Sequence, residues 1–347
     1  MTTKAKPVQI VAHGPNWPLL YEQEKQQIQQ QLGDKLYCIE HIGSTAIEGV
    51  DARPEIDILV AVDSLAEIDS ITRTLQNLSY SCTGKDKFET GWRFSRTQAN
   101  LSYELYVFEQ GDPEIERCRG FRDHLLQNPY MGQAYACIKR CLAAEFPYDT
   151  NHYVQGKDSF IRRVDYLAGV ARHDQLQASD DVILQPYDPA WPKLAKAEIN
   201  AIQQFTQLPF VTMQHLGSTS VEGLTAKPLI DIYIAVESID DKREQWGPPL
   251  QALGYIDWPD NPDPTHLRFF KGMPPFGIKR THHIHMMAMS ERFENHILFR
   301  DALRNDEILR RQYAQLKQRL ACQLSQDREY YTEQKGAFIK SVLAQQQ

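Results

Sequence analysis

The sequence HIGSTAIEGVDARPEIDILVAV at residues 41–62 returns as HLGSTSVEGLTAKPLIDIYIAV at residues 215–236. Between Pro15 and Val62 the two copies align without a gap at an offset of 174 residues, and 21 of the 48 positions are identical. Solenoid repeats are much shorter, with periods of roughly 20–50 residues. The repeat therefore predicts a tandem duplication of one whole domain.

Length and charge restrict the class of protein further. A chain of 347 residues has the size of about two ordinary domains. We predict a first domain at 1–172, a polar linker at 173–185 and a second domain at 186–347. The net charge of −7 gives no indication of a protein that binds duplex DNA through bulk charge.

Three features of the sequence indicate a cytoplasmic protein. No run of about 18 apolar residues predicts a membrane span. The first residues lack the long apolar core of a secretory signal. The six cysteines form no CxxC pair and do not recur between the copies, so we expect reduced thiols.

Each copy begins with a predicted helix that carries a glutamate on its apolar face. The motif PxWP at 15–18 and 189–192 suits a helix start, and apolar residues follow it at helical spacing. Glu24 and Glu198 occupy the same place in the two copies. A carboxylate on such a face needs a partner. We expect either a partly buried ion pair or a group that orients a residue of the site.

Apolar, β-branched segments predict the strands of a mixed sheet. Continuous apolar runs favour internal strands, and alternating runs favour strands with one polar face. Helical spacing returns near the end of each copy. We therefore predict an α/β or α+β domain, with strands at 36–42, 56–62 and 102–108 in the first copy and at 210–216, 230–236 and 282–287 in the second.

The first copy combines a Gly-Ser turn with an acidic strand. Gly43 and Ser44 precede Glu55 and Asp57, which point to the same side because alternate residues of a strand share a face. Two adjacent carboxylates repel each other unless a cation or a basic group lies between them. Mg²⁺ or Mn²⁺ suits such oxygen ligands. Glu104, on a later strand, would supply a third carboxylate. The alternative is a tight turn beside a core strand whose acidic ends are solvated.

The second copy offers a different set of ligands. Leu229 stands where the first copy has Glu55, so only Asp231 remains of the acidic pair. His283 and His285 alternate on the later strand and therefore share a face. With the carboxylate they can hold Zn²⁺, Mn²⁺ or Fe²⁺, or they can instead hydrogen-bond a phosphate or the carboxylate itself. Because the acidic pair survives only in the first copy, the sequence favours that copy for metal-dependent transfer.

Other polar residues near these motifs have expected roles. His41 and His215 immediately precede the turn, and we expect them to orient the loop. Arg122 and Arg300 each precede an aspartate inside a predicted helix, a pattern that indicates structural ion pairs. Lys157 and Lys335 lie near a helix start. Two interpretations of these lysines remain open, exposure to solvent and contact with a phosphate.

These motifs resemble two known groups of proteins. A Gly-Ser turn followed by an acidic-hydrophobic-acidic strand resembles the nucleotidyltransferase superfamily of the polymerase-β type. The longer string of HxGST, EG, basic-Pro and IDI, followed by an Arg-Phe segment, an HxH strand and an FRDxL helix, is similar to the GrpB family. The second copy carries all of these segments. Both copies depart from the family once, since Glu48 and Glu222 replace its usual proline.

The resemblance implies two tandem GrpB-like domains with a nucleotidyltransferase-type fold. The family is mostly of unknown activity, and some bacteria fuse such a domain behind dephospho-coenzyme-A kinase, which implies a link with coenzyme A metabolism. As catalytic residues the resemblance implies Glu55, Asp57, Glu104 and Asp231. Residues expected to contact a nucleoside triphosphate are Gly43, Ser44, Thr45, Arg93 and Arg96 in the first copy and Gly217, Ser218, Thr219, Lys227, Arg268 and Lys271 in the second.

Three functions remain open at this level. The first is a metal-dependent nucleotidyltransferase, which moves a nucleoside monophosphate from a nucleoside triphosphate to an acceptor. The second is a non-catalytic module that binds a nucleotide or another phosphorylated small molecule. The third is a scaffold that binds a protein. In each case we expect the two repeats to pack against each other.

Overall fold

The computed structural model describes residues 7–87, 89–171, 183–323 and 334–345. Residues 173–182, which form most of the predicted linker, lie outside these ranges. The chain divides into two compact units. The first consists of the chain up to Ala143 with Pro147–Thr150 and Val164–Ala171, and the second consists of Ala144–Phe146, Asn151–Arg163 and the chain from Arg172 onward.

The first unit alternates helices with the strands of one five-stranded sheet. Its first helix begins at the PxWP motif, because a proline in the first turn lacks only an N–H that would have no partner within the helix. The elements are α1 (Trp17–Leu32), β1 (Leu36–Ile42), β2 (Glu55–Val62), α2 (Ile68–Asn77), β3 (Ser81–Lys85), β4 (Trp92–Gln98), β5 (Leu101–Glu109), α3 (Pro113–Gln127), α4 (Pro129–Glu145) and α5 (Thr150–Leu167), the last of which is divided between the units.

The second unit repeats this order of elements. They are α6 (Trp191–Thr206), β6 (Thr212–Leu216), β7 (Ile230–Val236), α7 (Lys242–Ala252), β8 (Tyr255–Asp257), β9 (His266–Lys271), β10 (His282–Ala288), α8 (Glu291–Asn305), α9 (Glu307–Gln323) and α10 (Gly336–Leu343).

Both sheets have the same mixed topology. The strand orders are β1-β2-β5-β4-β3 and β6-β7-β10-β9-β8. The β2–β5 and β7–β10 pairs are parallel, and the other neighbours are antiparallel. A parallel pair needs a long crossover, which here contains α2 or α7 and the two following strands. The mixed α/β architecture predicted from the sequence is confirmed.

Alternation divides the side chains of the central strands between two faces of each sheet. One face of β2 packs in the main core with α1 and α2, through Ile56, Ile58, Val60 and Val62. We call this side the core face. The opposite side, which we call the site face, carries Glu55 and Asp57 and then Leu59 and Ala61, which pack against α3. On β7 the site face carries Asp231, Tyr233 and Ala235, the last two packed against Phe293 of α8.

The six predicted strands agree closely with the structure, but no bounds were predicted for β3, β4, β8 and β9. Strand β7 has its predicted bounds, and β6 begins two residues after its predicted start. The crossover helices α2 and α7 were not predicted from the sequence. In α7 the residues Pro248 and Pro249 lie inside the helix, where proline normally argues against helical structure. No helix in the described ranges is long and apolar enough to cross a membrane.

Candidate functional site

A left-handed glycine brings the turn against the acidic strand in each unit. Gly43 and Gly217 have φ angles of 70° and 71°. A Cβ on Gly43 would lie 2.2 Å from Oδ2 of Asp57, and a Cβ on Gly217 would lie 2.3 Å from Oδ2 of Asp231. Any other residue would collide with the carboxylate and strain the backbone. Glycine is therefore required for the close approach of turn and carboxylate.

The threonine of the first turn fixes the loop. Thr45 is 1% exposed, and its hydroxyl donates to the Glu55 carbonyl oxygen at 3.0 Å. The same hydroxyl lies 3.0 Å from Nε2 of His41. Because its single proton goes to the carbonyl, the hydroxyl accepts from Nε2–H of His41. Burial, followed by the charge of Arg122, lowers the pKa of His41 to about 4, so the ring is neutral at pH 7.

The second turn is fixed in the same way. The Thr219 hydroxyl donates to the Leu229 carbonyl oxygen at 3.0 Å and lies 3.0 Å from Nε2 of His215. Burial lowers the pKa of His215 to about 4. Thr45 and Thr219 were predicted to contact a nucleotide. In the structure their hydroxyls are buried and committed to the loop, so they position the turn instead.

The acidic residues of the first repeat share the site face, but arginines accompany two of them. Asp57 and Glu104 are directly paired across the parallel strands β2 and β5. Arg53 Nη2 lies 2.7 Å from Glu55 Oε2. Arg93 Nη2 lies 3.7 Å from Glu104 Oε2. These arginines are basic groups of the kind that the sequence left open as the alternative to a metal ion.

The remaining carboxylate of the first repeat faces a phenol. The Tyr106 hydroxyl donates to Asp57 Oδ1 at 3.4 Å. Burial, followed by the charge of Glu55, raises the pKa of Glu104 to about 7. Within the described ranges, the oxygens of these three acids do not form a group close enough to share a metal ion. The predicted carboxylate site for Mg²⁺ is thus not assembled in this arrangement of side chains.

The second repeat does bring a set of metal-ligand types together. Asp231 and His283 are paired across the parallel strands β7 and β10, and His285 follows on the same face. Asp231 Oδ1 lies 3.5 Å from His283 Nδ1 and 3.7 Å from His285 Nε2. The three ligand atoms all lie within 4.8 Å of one another. Of the described part of the chain, this is the one such group.

The geometry and electrostatics of this group suit a cation. Metal–ligand bonds of about 2.1 Å place neighbouring tetrahedral ligands roughly 3.4 Å apart, close to the two distances to Asp231 Oδ1. Burial by itself raises the pKa of Asp231, but hydrogen bonds from His283 and His285 hold it well below its usual range. The carboxylate is therefore ionised at neutral pH. Its side chain keeps 22% exposure, so the group is reachable from solvent.

A chain of polar groups behind His285 was not foreseen from the sequence. His266 Nε2 lies 3.0 Å from His285 Nδ1, and Arg292 Nη2 lies 3.4 Å from His266 Nδ1. Asp263 holds Arg292 at 2.6 Å. Burial, followed by the charges of His285 and two arginines, lowers the pKa of His266 to about 2. Since arginine can only donate, His266 accepts at Nδ1 and donates from Nε2, which orients the His285 ring.

Two of the predicted phosphate ligands lie on the other side of the sheet. Arg96 is on the core face of β4, where it pairs with buried Glu24 and lies over the Tyr103 ring at 4.7 Å. Lys271 is fully buried on the core face of β9 and pairs with Glu198 at 2.8 Å. The partly buried ion pair expected for the helix glutamates is therefore present in both repeats. Neither basic residue reaches the site.

The other predicted contacts remain on the site side or in its loop. Arg268 is directly paired with His285 across β9 and β10, so it shares the site face. Lys227 lies in the loop before β7, and Ser218 begins the short helical turn Ser218–Ser220. The Ser44 hydroxyl hydrogen-bonds the Tyr135 phenol. The expected ion pairs of the FRD segments are present, at Arg122–Asp123 and Arg300–Asp301.

Comparison with known proteins agrees with the repeat. The family model for GrpB protein matches residues 7–166 and 181–345, which correspond to the two copies. The chain belongs to the GrpB family.

Two curated relatives and one solved structure are similar to parts of this chain. UPF0157 protein PA4798 of Pseudomonas aeruginosa is 43% identical over 167 residues, which are 48% of this chain and 68% of the relative. UPF0157 protein YqkA of Bacillus subtilis is 32% identical over 155 residues, which are 45% of each chain. The crystal structure of conserved protein GrpB from Enterococcus faecalis matches at a TM-score of 0.44 and 26% identity, over 46% of this chain and 96% of that chain.

Proposed function

We propose that this GrpB-family chain is a metal-dependent nucleotidyltransferase whose centre lies in the second repeat. The observation that carries the proposal is the convergence of Asp231, His283 and His285 beside the Gly217 turn. A divalent ion at this place would stabilise phosphate charge and lower the pKa of an attacking hydroxyl. The proposal moves the centre away from the first repeat, which the sequence had favoured.

The ligand types select the kind of ion. Two imidazole nitrogens and one carboxylate suit Zn²⁺, Fe²⁺ or Mn²⁺, whereas Mg²⁺ prefers oxygen ligands throughout. The ion would take Oδ1 of Asp231, Nδ1 of His283 and Nε2 of His285, which are the atoms that face one another. An ion held at Nε2 of His285 would displace the proton that the hydrogen bond from His266 to Nδ1 keeps on Nε2.

The neighbouring groups suit a phosphorylated substrate. Backbone N–H groups of a glycine turn can approach phosphate oxygens closely, and Arg268 on the same face offers paired donors. In the proposed reaction, an acceptor hydroxyl oxygen forms a bond to the α-phosphorus of a nucleoside triphosphate. The bond from that phosphorus to the bridging oxygen breaks and pyrophosphate leaves. The hydroxyl proton passes to water.

The first repeat supports a second candidate function, binding without transfer. Its turn and its carboxylate keep the same close approach as in the second repeat. Arg53 and Arg93, however, already neutralise Glu55 and Glu104. A phosphorylated ligand that engaged these arginines would need no metal ion.

The test compares Asp231→Asn with Asp57→Asn, a matched pair because both carboxylates contact the glycine of their own turn. Metal binding is followed by the visible spectrum of added Co²⁺, which reports the ligand set directly. Transfer is followed with each α-labelled nucleoside triphosphate, with Mg²⁺, Mn²⁺ or Zn²⁺ and a bacterial extract as the source of acceptors. We expect Asp231→Asn to lose both the Co²⁺ spectrum and transfer, and Asp57→Asn to keep both.

Two outcomes would contradict the proposal. Loss of transfer in Asp57→Asn alone would return the chemistry to the first repeat. Absence of transfer by the unaltered chain, with nucleotide binding still detectable by filter retention, would favour the binding function instead.

A further inference from the structure

A run of hydrogen bonds leads from a surface arginine to the candidate metal site, and every donor in it points the same way. Arg292 Nη2 donates to Nδ1 of His266 at 3.4 Å. Since a neutral imidazole has one N–H, His266 carries its proton on Nε2, which lies 3.0 Å from Nδ1 of His285. By the same reasoning His285 carries its proton on Nε2, which lies 3.7 Å from Oδ1 of Asp231. We call Arg292 and His266 the relay pair.

The direction of this run conflicts with the use of His285 as a metal ligand. A neutral histidine that binds an ion through Nε2 keeps its proton on Nδ1 and gives it to an acceptor behind the ring. Behind His285 stands a donor instead, because Arg292 occupies the acceptor nitrogen of His266. His285 therefore presents a proton, rather than a lone pair, to the space between the three ligand atoms.

The relay pair is present only in the repeat that carries the two histidines. The first repeat has Tyr106 at the place of His285, Gly91 at the place of His266 and Glu114 at the place of Arg292. Both repeats share one fold, yet all three groups of the run are replaced together. The run therefore belongs to the histidine site and is not a requirement of the shared fold.

The position of Arg292 in its helix supports this interpretation. It is the second residue of α8, where the helix dipole favours acidic side chains. Glu114, at the same place in α3, follows that rule. Arg292 is instead held by Asp263, which accepts from Nη1 at 2.6 Å. Its side chain is 49% exposed, so it can leave His266 for water while it keeps its bond to Asp263.

We propose that the relay pair controls cation binding in the second repeat by setting which nitrogen of His285 carries the proton. While Arg292 donates to His266, His285 is held in the form that excludes a cation. The relay pair therefore opposes occupation of the site. The presence of an ion rests on the proposed function, but the positions of the protons in the metal-free chain do not.

Occupation of the site then requires the hydrogen bond between the two histidines to reverse. The Nε2 proton of His266 passes to Nδ1 of His285 along the existing bond. The Nε2 proton of His285 goes to water, and Nδ1 of His266 takes a proton from water. Each ring keeps one proton, so no net proton is released. Arg292 loses its acceptor on His266 and remains with Asp263.

The first measurement locates these protons by ¹⁵N NMR of the full chain labelled at histidine, in EDTA and then with excess Zn²⁺ after EDTA is removed. His266→Gln and His285→Gln identify the resonances of the two rings. We expect both rings to be protonated on Nε2 in EDTA and on Nδ1 with Zn²⁺. The proposal is overturned if His285 carries its proton on Nδ1 in EDTA, or if His266 stays protonated on Nε2 once Zn²⁺ is bound.

The second measurement is the affinity of Arg292→Met for Co²⁺. Lys242→Met is the control, because it removes one charge from the same unit at a side chain that bonds Gln245 on an exposed surface. Titrations at about 0.1 M and about 1 M salt separate the charge of Arg292, which salt screens, from its hydrogen bond.

We expect Arg292→Met to bind Co²⁺ about fivefold more tightly than the unaltered chain at both salt concentrations, since the hydrogen bond to His266 no longer has to be broken. Lys242→Met should bind as the unaltered chain does. Unchanged or weaker binding by Arg292→Met, or a gain that disappears at the higher salt concentration, would overturn the proposal.

The relay pair and the proposed function fail in different ways. If the ions bind as described and no nucleoside monophosphate is transferred, the relay pair is confirmed and the transfer function is wrong. If transfer depends on Asp231 but Zn²⁺ leaves both ring protons in place, the reverse holds. If neither the unaltered chain nor Arg292→Met binds Zn²⁺ or Co²⁺, both proposals are overturned.

Discussion

The carboxylate of Asp231 lies against the Cα of Gly217, so that a Cβ on that glycine would stand 2.3 Å from Oδ2. The two residues come from a turn and from a central strand of the sheet. Their contact couples the backbone of the turn to the carboxylate that would hold a metal ion. The same contact joins Gly43 and Asp57 in the first repeat.

Gly217→Ala should disturb this contact and Gly223→Ala should not. Both glycines have positive φ, at 71° and 75°. Both variants should therefore lose roughly 1 kcal/mol or more of folding free energy through backbone strain. Only the Gly217 variant also collides with Asp231, because nothing lies within 4 Å of a Cβ on Gly223. We expect it to be the less stable of the two in urea denaturation and to lose Co²⁺ binding. Equal behaviour of the two variants would contradict the coupling.

Lys271→Met should destabilise the second unit without affecting the site. The change leaves Glu198 as a buried charge without its ammonium partner, which costs about 3–5 kcal/mol. The double variant with Glu198→Gln should recover part of this loss, and Co²⁺ binding should persist in both. Urea denaturation in a double-mutant cycle measures the coupling. Selective loss of the Co²⁺ spectrum would return Lys271 to the site.

Glu104→Gln should change how stability depends on pH. The pKa of Glu104 is raised from 4.5 to about 7, so between these values the folded chain binds more protons than the unfolded chain. The contribution of Glu104 to stability therefore falls as pH rises from 4.5 to 7, by up to about 1.4 kcal/mol per pH unit. The stability of Glu104→Gln minus that of the unaltered chain should rise over this window. A difference that stays constant with pH would show that Glu104 titrates normally.

Lys317→Gln should also change how stability depends on pH, but with the opposite sign and at higher pH. Burial lowers the pKa of Lys317 from 10.5 to about 7, so between these values the unfolded chain binds more protons. Stability of the unaltered chain then rises with pH from 7 to 10.5 relative to the variant. Denaturation curves of both chains at several pH values measure this difference, and parallel curves from pH 7 to 10.5 would contradict it.

Strand alternation accounts for most of what could be predicted about the site. It placed Glu55 with Asp57, and His283 with His285, on a common face. The face on which a side chain lies depends only on its position along its own strand. The same rule would have placed Lys271 on the face opposite to Arg268, since it follows Arg268 by three positions. It would also have added His266, two positions before Arg268, to the site face. That signal was present in the sequence but was not used.

The sequence by itself determined the duplication, the central strands and the types of ligand that each repeat carries. These follow from identity between copies and from the period of apolar residues, which need no knowledge of distant contacts. Only the tertiary structure decided which repeat brings its ligands together. The pairing of Asp231 with His283 joins strands far apart in the chain, and the pairing of Arg96 with Glu24 joins β4 to α1 and keeps that arginine on the core face. Packing sets both relationships, and no local pattern encodes them.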